Sequence, residues 1–415
     1  MLGKGPPSCH FCKDALRRAN DTTTSPDRVS AFWIPSFEFI LHSVTARIGI
    51  DARLTYYSQA GISHYIQRLI SELPALDAED EYVIFHSRKD RRSLAQGPNQ
   101  RRVACWTPAH HPWERLALAA EIAPYRLDLL HSPDFIPPYG RWYRSVITIH
   151  DLTFLHYPAF LTAESRRYYN GQIEAAVRHA HHILADSEAT RTDILTLLDV
   201  PADKVTTVLL AADARYKPTS ADAVREIRTQ YNLPEGYILF VGTFEPRKNI
   251  GGLLRAYQAM KTVSPDVPPL VIAGRPGWLY HETLALINSL GLADRVFRIE
   301  HVAPDDLPAL YTGASVFCLP SFYEGFGLTA LEAMACGTPV VAAERASLIE
   351  VVGSAGLLID PESPAAIAGA LHRVLTDSAL AADLRKRGFE QAARFDWCET
   401  ARQTLAIYKR VLGEA

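Results

Sequence analysis

The sequence predicts two α/β domains in succession, each a doubly wound parallel sheet, facing each other across a central cleft. Three observations predict it. From Arg47 onward, short apolar runs of β-type composition alternate with stretches of helical periodicity. Near Ala214–Asp222 the alternation breaks into ARYKPTSAD, a polar, proline-containing segment with linker composition. Beyond it a second series of the same kind begins. The length of 415 residues suits two domains of this size.

The first series opens with RIGID, residues 47–51, as a strand, followed by helical spacing over 61–73. Residues 82–86, 127–131, 145–150, 182–185 and 205–210 read as further strands. Helical stretches over 164–180 and 187–198 lie between them, and Ser187 followed by Thr190 suits a helix start. The second series has strands at 237–242, 269–274, 295–299, 315–320 and 339–343. Strands of this kind, separated by helices, belong in a parallel sheet covered on both faces. Ligands of such Rossmann-like sheets bind in the crevice beyond the carboxyl ends of the strands.

The first 43 residues differ, being rich in Pro, Thr, Ser and charge without sustained periodicity, and read as a poorly ordered extension. Their Cys9-His10-Phe11-Cys12 cluster is a lone CxxC, to be read as incidental or as a metal or redox site. The six cysteines are scattered, which implies a reducing compartment and no disulfide framework. Hydrophobic residues make up 48% and charged residues 21%, and the net charge of −3 argues against a nucleic-acid partner. The most apolar candidate for a membrane span, residues 31–44, is too short and carries Glu38 and His42.

The most informative segment is SVFCLPSFYEGFGLTALEAMACGTPVVAAE, residues 315–344, which reads strand, loop, helix, strand. The loop holds Glu324, Gly325, Phe326 and Gly327, and the helix runs from about Leu328 until Gly337 stops it. Glycines before a helix let backbone N–H groups approach a ligand, and the helix dipole favours a phosphate there. Glu332 lies about 6 Å into the helix. Two carboxylates thus bracket an anion site, matching a nucleotide sugar with hydroxyls at both ends and negative charge between. The alternative is a helix-capping Glu324 and a solvated Glu332.

In VGTFEPRKNIGGLL, residues 241–254, Arg247 and Lys248 stand just before a helix N-terminus. That is the unfavourable end for cations, and a bound anion gripped by both would reconcile it; the alternative is an exposed basic loop. His150 closes a buried strand and points to the crevice, unless its role is structural. Gly61-Ile62-Ser63 follows the first strand as a glycine-containing turn able to approach donor or acceptor. No Asp-x-Asp pair of the kind that holds a divalent ion on a diphosphate occurs. No metal or other cofactor is therefore expected, with Arg247, Lys248 and the helix N–H groups supplying positive charge.

Together these residues resemble glycosyltransferase family 4 and its bacterial mannosyltransferase-like group 1 members, over about residues 46–412. Glu324 and Glu332 match the family's E-x7-E motif, G-T-F-E-P-R-K-N its diphosphate loop, and I-H-D-L the site of its active-site histidine. The resemblance implies the GT-B fold. It also implies that Glu324 contacts the donor sugar, Glu332 the ribose, and Arg247 and Lys248 the diphosphate, with His150 near the transferred sugar as the second catalytic residue beside Glu324. Gly325, Phe326, Gly327 and Leu328 complete the donor site. It implies an extension at 1–43, an acceptor-side domain at 44–217, a donor domain at 218–394, and a helix at 395–415 crossing back onto the first domain. Departures are Ser63 where a glycine is common, Thr243 where an arginine is common, and Glu300-His301-Val302 in place of G-Y-V.

The expected reaction is retaining, metal-independent transfer of a hexose, mannose from GDP-mannose, from a nucleotide diphosphate donor to a glycan or lipid-linked acceptor in polysaccharide biosynthesis. A sugar-nucleotide epimerase and a non-catalytic nucleotide-sugar binding protein are the alternatives. The expected location is cytoplasmic, with peripheral contact at the inner face of the membrane. Arg88, Lys89, Arg91, Arg92, Arg101 and Arg102 form a basic stretch, either a solvated loop or the contact with an anionic membrane or lipid-linked diphosphate.

Overall fold

The computed structural model describes residues 45–57, 61–111, 113–160, 163–277 and 280–414, so the extension with its Cys9–Cys12 cluster and the apolar 31–44 segment lie outside the described residues. Among them, the first sheet has seven parallel strands: β1 Arg47–Asp51, β2 Glu81–Ser87, β3 Gln100–Cys105, β4 Leu129–Ser132, β5 Arg144–Ile149, β6 His182–Ala185 and β7 Val205–Thr207. Their order is β3-β2-β1-β4-β5-β6-β7. The second has six: β8 Ile238–Val241, β9 Leu270–Ala273, β10 Val296–Ile299, β11 Val316–Leu319, β12 Val340–Ala343 and β13 Leu357–Ile359, in the order β10-β9-β8-β11-β12-β13. Strand order reverses between β1 and β4 and again between β8 and β11, which makes the carboxyl ends there the natural ligand crevices. Ile48 pairs with Tyr82 on one side and Leu129 on the other, and all three are fully buried, as a sheet covered on both faces requires.

The helices that matter here are α1 Gly61–Leu76, α2 Glu114–Ile122, α3 Ala163–His179, α4 Glu188–Leu197, α5 Ala221–Gln230, α6 Ile250–Val263, α7 Tyr280–Ser289, α8 Leu307–Thr312, α9 Leu328–Ala335, α10 Leu348–Val352, α11 Pro364–Thr376, α12 Ser378–Ala392 and α13 Trp397–Leu412. Ser187 caps α4 by accepting from the Thr190 N–H. The last helix, α13, lies against α1, β5 and β6 of the first sheet. The Tyr408 hydroxyl meets His131 Nδ1 at 2.6 Å, Lys409 pairs with Asp80, and Thr400 Oγ1 donates to the Leu209 carbonyl.

Four expectations need correction. Arg101 and Arg102 are not in a loop but in β3, an edge strand whose Val103 and Cys105 face inward while charge guards the open edge. The basic stretch is also not a free cationic loop: Arg92 is forked onto Asp90, Arg102 donates to the Asp90 carbonyl, and Arg88 stacks over Trp106. Only Val205–Thr207 of the 205–210 run pairs as a strand, because the chain then leaves the sheet for the connection to the second domain. Gly61-Ile62-Ser63 is no separate turn ahead of the helix: as the helical spacing from Gly61 predicts, it is the first turn of α1, with Ser63 buried.

Candidate active site

The carboxyl ends of β8 and β11 bring the two charged motifs together. After β8 the chain turns through the short 3-10 segment Pro246–Lys248 into α6, capped by the Asn249 side chain, which accepts from the Gly252 N–H. Asn249 adopts φ 53° and also donates to the Pro320 and Pro361 carbonyls, pinning this loop to the end of β11. Lys248 Nζ lies 2.6 Å from Glu324 Oε1, and Arg247 Nη1 2.8 Å from Glu324 Oε2. Ser321 donates to the same carboxylate and Glu245 holds the Arg247 Nε. Burial opposes ionisation of Glu324, but Lys248 and Arg247 overcome it and hold its pKa down at about 2. For Lys248, burial and the neighbouring Arg247 lower the pKa against the pull of Glu324.

This geometry corrects the sequence reading in two ways. Glu324 caps no helix, and Lys248 is buried rather than part of an exposed loop. The cations before α6 are neutralised within the chain, by Glu324 and Glu245, so their placement alone does not require a bound anion.

α9 begins one residue after Gly327, whose φ of 102° and whose contact with Leu348 leave no place for a side chain. Phe326 is buried against Phe395, so only its backbone can face a ligand; its carbonyl and that of Glu324 lie within reach of the Ser347 hydroxyl. Glu332 is not solvated. It is half-buried, its Oε2 accepts from the Tyr311 hydroxyl at 2.8 Å, and Tyr216 also bonds it. Burial pushes its pKa up to about 7, against those two hydroxyls.

His150 follows β5. Its Nδ1 meets Asp186 at 2.6 Å and its Nε2 the Pro133 carbonyl at 2.8 Å. A carbonyl only accepts, so Nε2 donates to Pro133; burial pushes the Asp186 carboxyl up as well, and the pair favours a protonated ring that donates from both nitrogens. Burial alone would lower its pKa; Asp186 and the Pro133 carbonyl push it up to about 9. The ring of Tyr65 stands edge-on to it, centroids 5.3 Å apart.

The first-sheet and second-sheet loops are pressed together here. A side chain on Gly325 would fall 2.0 Å from the His150 carbonyl oxygen. The Gly325 carbonyl accepts from Ser187 and Thr190 at the start of α4. Gly61 opens α1 beside Leu328, the first residue of α9. Thus Gly325 meets His150, Leu328 meets Gly61, Arg247 and Lys248 cluster on Glu324, and Glu332 points to Tyr311 and Tyr216. Sequence reasoning missed Asp186, which ends the run after β6 much as His150 does after β5, and Tyr216, which lies inside the segment read only as a linker. Among the described residues no group of three His, Cys, Asp or Glu is placed to hold a metal ion.

Comparison with known proteins bears directly on this arrangement. A family model described as "Glycosyl transferases group 1" matches residues 224–391, and "Glycosyltransferase Family 4" matches residues 60–215. The chain is 33% identical over 369 residues to an O-antigen chain mannosyltransferase B of Escherichia coli, covering 85% of this chain and 97% of that one. The chain belongs to the group 1, family 4 glycosyltransferases. This glycosyltransferase is a hexosyltransferase, and it is also 35% identical over 256 residues to a D-inositol 3-phosphate glycosyltransferase of Salinispora tropica, covering 58% and 53% of the two chains. Its fold matches sucrose-phosphate synthase from Thermosynechococcus elongatus with a TM-score of 0.73 at 23% identity, over 89% of this chain and 100% of that one. The fold is GT-B. Among the described residues no helix is long and apolar enough to cross a membrane.

Proposed function

We propose that this glycosyltransferase transfers mannose from GDP-mannose to a glycan or lipid-linked acceptor, with retention of configuration and without a metal ion. The observation that carries the reading is the cluster in which Glu324 spans Arg247 and Lys248 beside the start of α9. In the free enzyme Glu324 stands in for the donor diphosphate. On binding, the diphosphate takes over both cations and the free N–H groups of α9, and Glu324 turns to the hydroxyls of the transferred sugar. Positive charge for the diphosphate thus comes from the chain itself. Glu332, with the Tyr311 and Tyr216 hydroxyls, would hold the ribose. The His150 imidazolium, on releasing the Pro133 carbonyl, offers an Nε2–H donor and a positive charge to the sugar. Mannose is favoured by the name of the Escherichia coli relative.

In the transfer step the acceptor hydroxyl oxygen bonds to the anomeric carbon on the face from which the diphosphate departs. The bond from that carbon to the β-phosphate oxygen breaks, and the acceptor proton passes to a diphosphate oxygen. Arg247 and Lys248 stabilise the charge that develops there.

The test is incubation with GDP-mannose and other nucleotide sugars, with and without glycan acceptors, before and after exhaustive chelation. Acceptor-dependent release of GDP, an α-linked product from the α-linked donor, and full turnover after chelation are expected. Isomerised donor without acceptor, an inverted product, or a strict need for added divalent ion would each overturn the corresponding part.

A further inference from the structure

The helix α2 buries two charged residues and leaves apolar ones outside. Its charged residues Glu114 and Arg115 are 3% and 4% exposed, while Trp113 before it is 67% exposed and Leu116 also faces solvent. Inward, Glu114 binds Arg53, and Arg115 donates to the Pro137 carbonyl and to Gln172. Leu118 and Ile122 fill the core over β2 and β4. What remains outside is Trp113, Leu116, Ala117 and Ala120, an apolar stripe at helical spacing directed away from the protein. Charged residues ordinarily take that side of a surface helix.

The stripe continues on both flanks. On one side Trp106, 71% exposed, is tied to α2 by its N–H to Glu121 and carries the Arg88 guanidinium over its ring. On the other, the exposed Tyr139 is held by its N–H to the Arg115 carbonyl, and exposed Trp142 follows three residues later. Exposed Arg126, Arg141 and Arg144 adjoin the band in sequence. The nearby carboxylates Glu121 and Asp128 are both engaged by backbone N–H groups. Aromatic rings with one polar edge, an apolar helix face and exposed arginines on the adjoining segments match the layers of an anionic bilayer surface: acyl boundary, headgroup carbonyls, then phosphates.

We propose that this band, Trp106, α2 with Trp113 and Leu116, and the Tyr139–Trp142 loop, seats the first domain on an anionic phospholipid surface. The proposal goes beyond the transferase reading and holds whether or not the acceptor is lipid-linked. It also moves the expected membrane contact away from Arg92 and Arg102, which are bound to Asp90, to a face where apolar side chains enter, with Arg88 over Trp106 and exposed arginines on the adjoining segments.

The experiment is sedimentation of the full chain with vesicles of phosphatidylcholine alone and of phosphatidylcholine mixed with phosphatidylglycerol. The combined Trp113→Ser, Leu116→Ser and Trp142→Ser variant and an Arg92→Ser control are run in parallel. Wild type and Arg92→Ser are expected on the mixed vesicles, and the triple variant is expected to bind about tenfold or more weakly while retaining turnover of a soluble acceptor. Quenching of wild-type tryptophan emission by brominated phosphatidylglycerol reads insertion directly and needs no variant. Wild type remaining in the supernatant with both vesicles, absence of quenching, or undiminished binding of the triple variant overturns the proposal. A concentration-dependent dimer that the triple variant abolishes, with no vesicle binding, would make the face a contact between copies and overturn it equally.

Discussion

Glu324 shares its two oxygens between Lys248 and Arg247, so the free enzyme keeps its cations masked. Under the proposed function, replacing Glu324 by Gln removes the competitor of the diphosphate. GDP is therefore expected to bind about tenfold more tightly, a change of ~1.4 kcal/mol, while turnover falls because the sugar loses its partner. Calorimetric titration of GDP against the variant checks this; weaker binding would place Glu324 among the groups that hold the nucleotide. Arg247→Ala and Lys248→Ala should each weaken GDP more than guanosine, and equal losses for the two ligands would remove the phosphate role. Because the folded pKa of Glu324, about 2, lies below its unfolded value, its stabilisation is full above the unfolded value of ~4.3. It is lost as pH falls from there through about 2. Glu332 has the opposite sign. Its pKa of about 7 exceeds the unfolded value, so it favours folding at low pH, and that benefit disappears as pH rises toward and through 7. In the proposed role of Glu332 the ribose hydroxyls donate best to the ionised form, so GDP-mannose affinity should rise across that interval and the rise should flatten in Glu332→Gln. An unchanged profile in the variant would assign the titration elsewhere.

At the scale of elements, the legible parts were those with strong patterns. The central strands show as apolar runs because both of their faces are buried, and the Gly325–Gly327 loop shows as a break in pattern before a helix. β3 was hidden because QRRVAC carries two arginines, which is what an open edge favours and what a reading by hydropathy rejects. β13 has three residues, too few to show a period. The start of α1 at Gly61 carries both signals, helical spacing and a glycine that suggests a turn, and the spacing prevails. The partners of the site residues were less visible, since Asp186 and Tyr216 reach His150 and Glu332 only through tertiary packing. One element-scale consequence concerns α13. Tyr408→Phe leaves the buried His131 Nδ1 without its partner, which should cost about 1–3 kcal/mol by denaturant unfolding, and no loss would mean that the ring finds another partner.

Across the whole molecule, the two sheets close on each other at Gly325. A methyl group there would meet the His150 carbonyl oxygen and Asp151, both on the opposite side of the cleft. Gly325→Ala should therefore hold the domains apart: turnover should drop about tenfold or more while GDP binding, which the proposed function assigns to the second domain, changes little. Small-angle scattering should record a larger radius of gyration, and wild-type turnover in this variant would show that the contact is not needed for reaction. The other long-range tie is α13, which comes last in the chain but lies on β5 and β6 and anchors Asp80 and His131. During synthesis the first domain leaves the ribosome early yet lacks one of its own walls until the whole second domain has been made. Its apolar patch over β5 and β6 must wait exposed while the second domain is made, so a nascent chain stalled just before Trp397 is the form most in need of a chaperone.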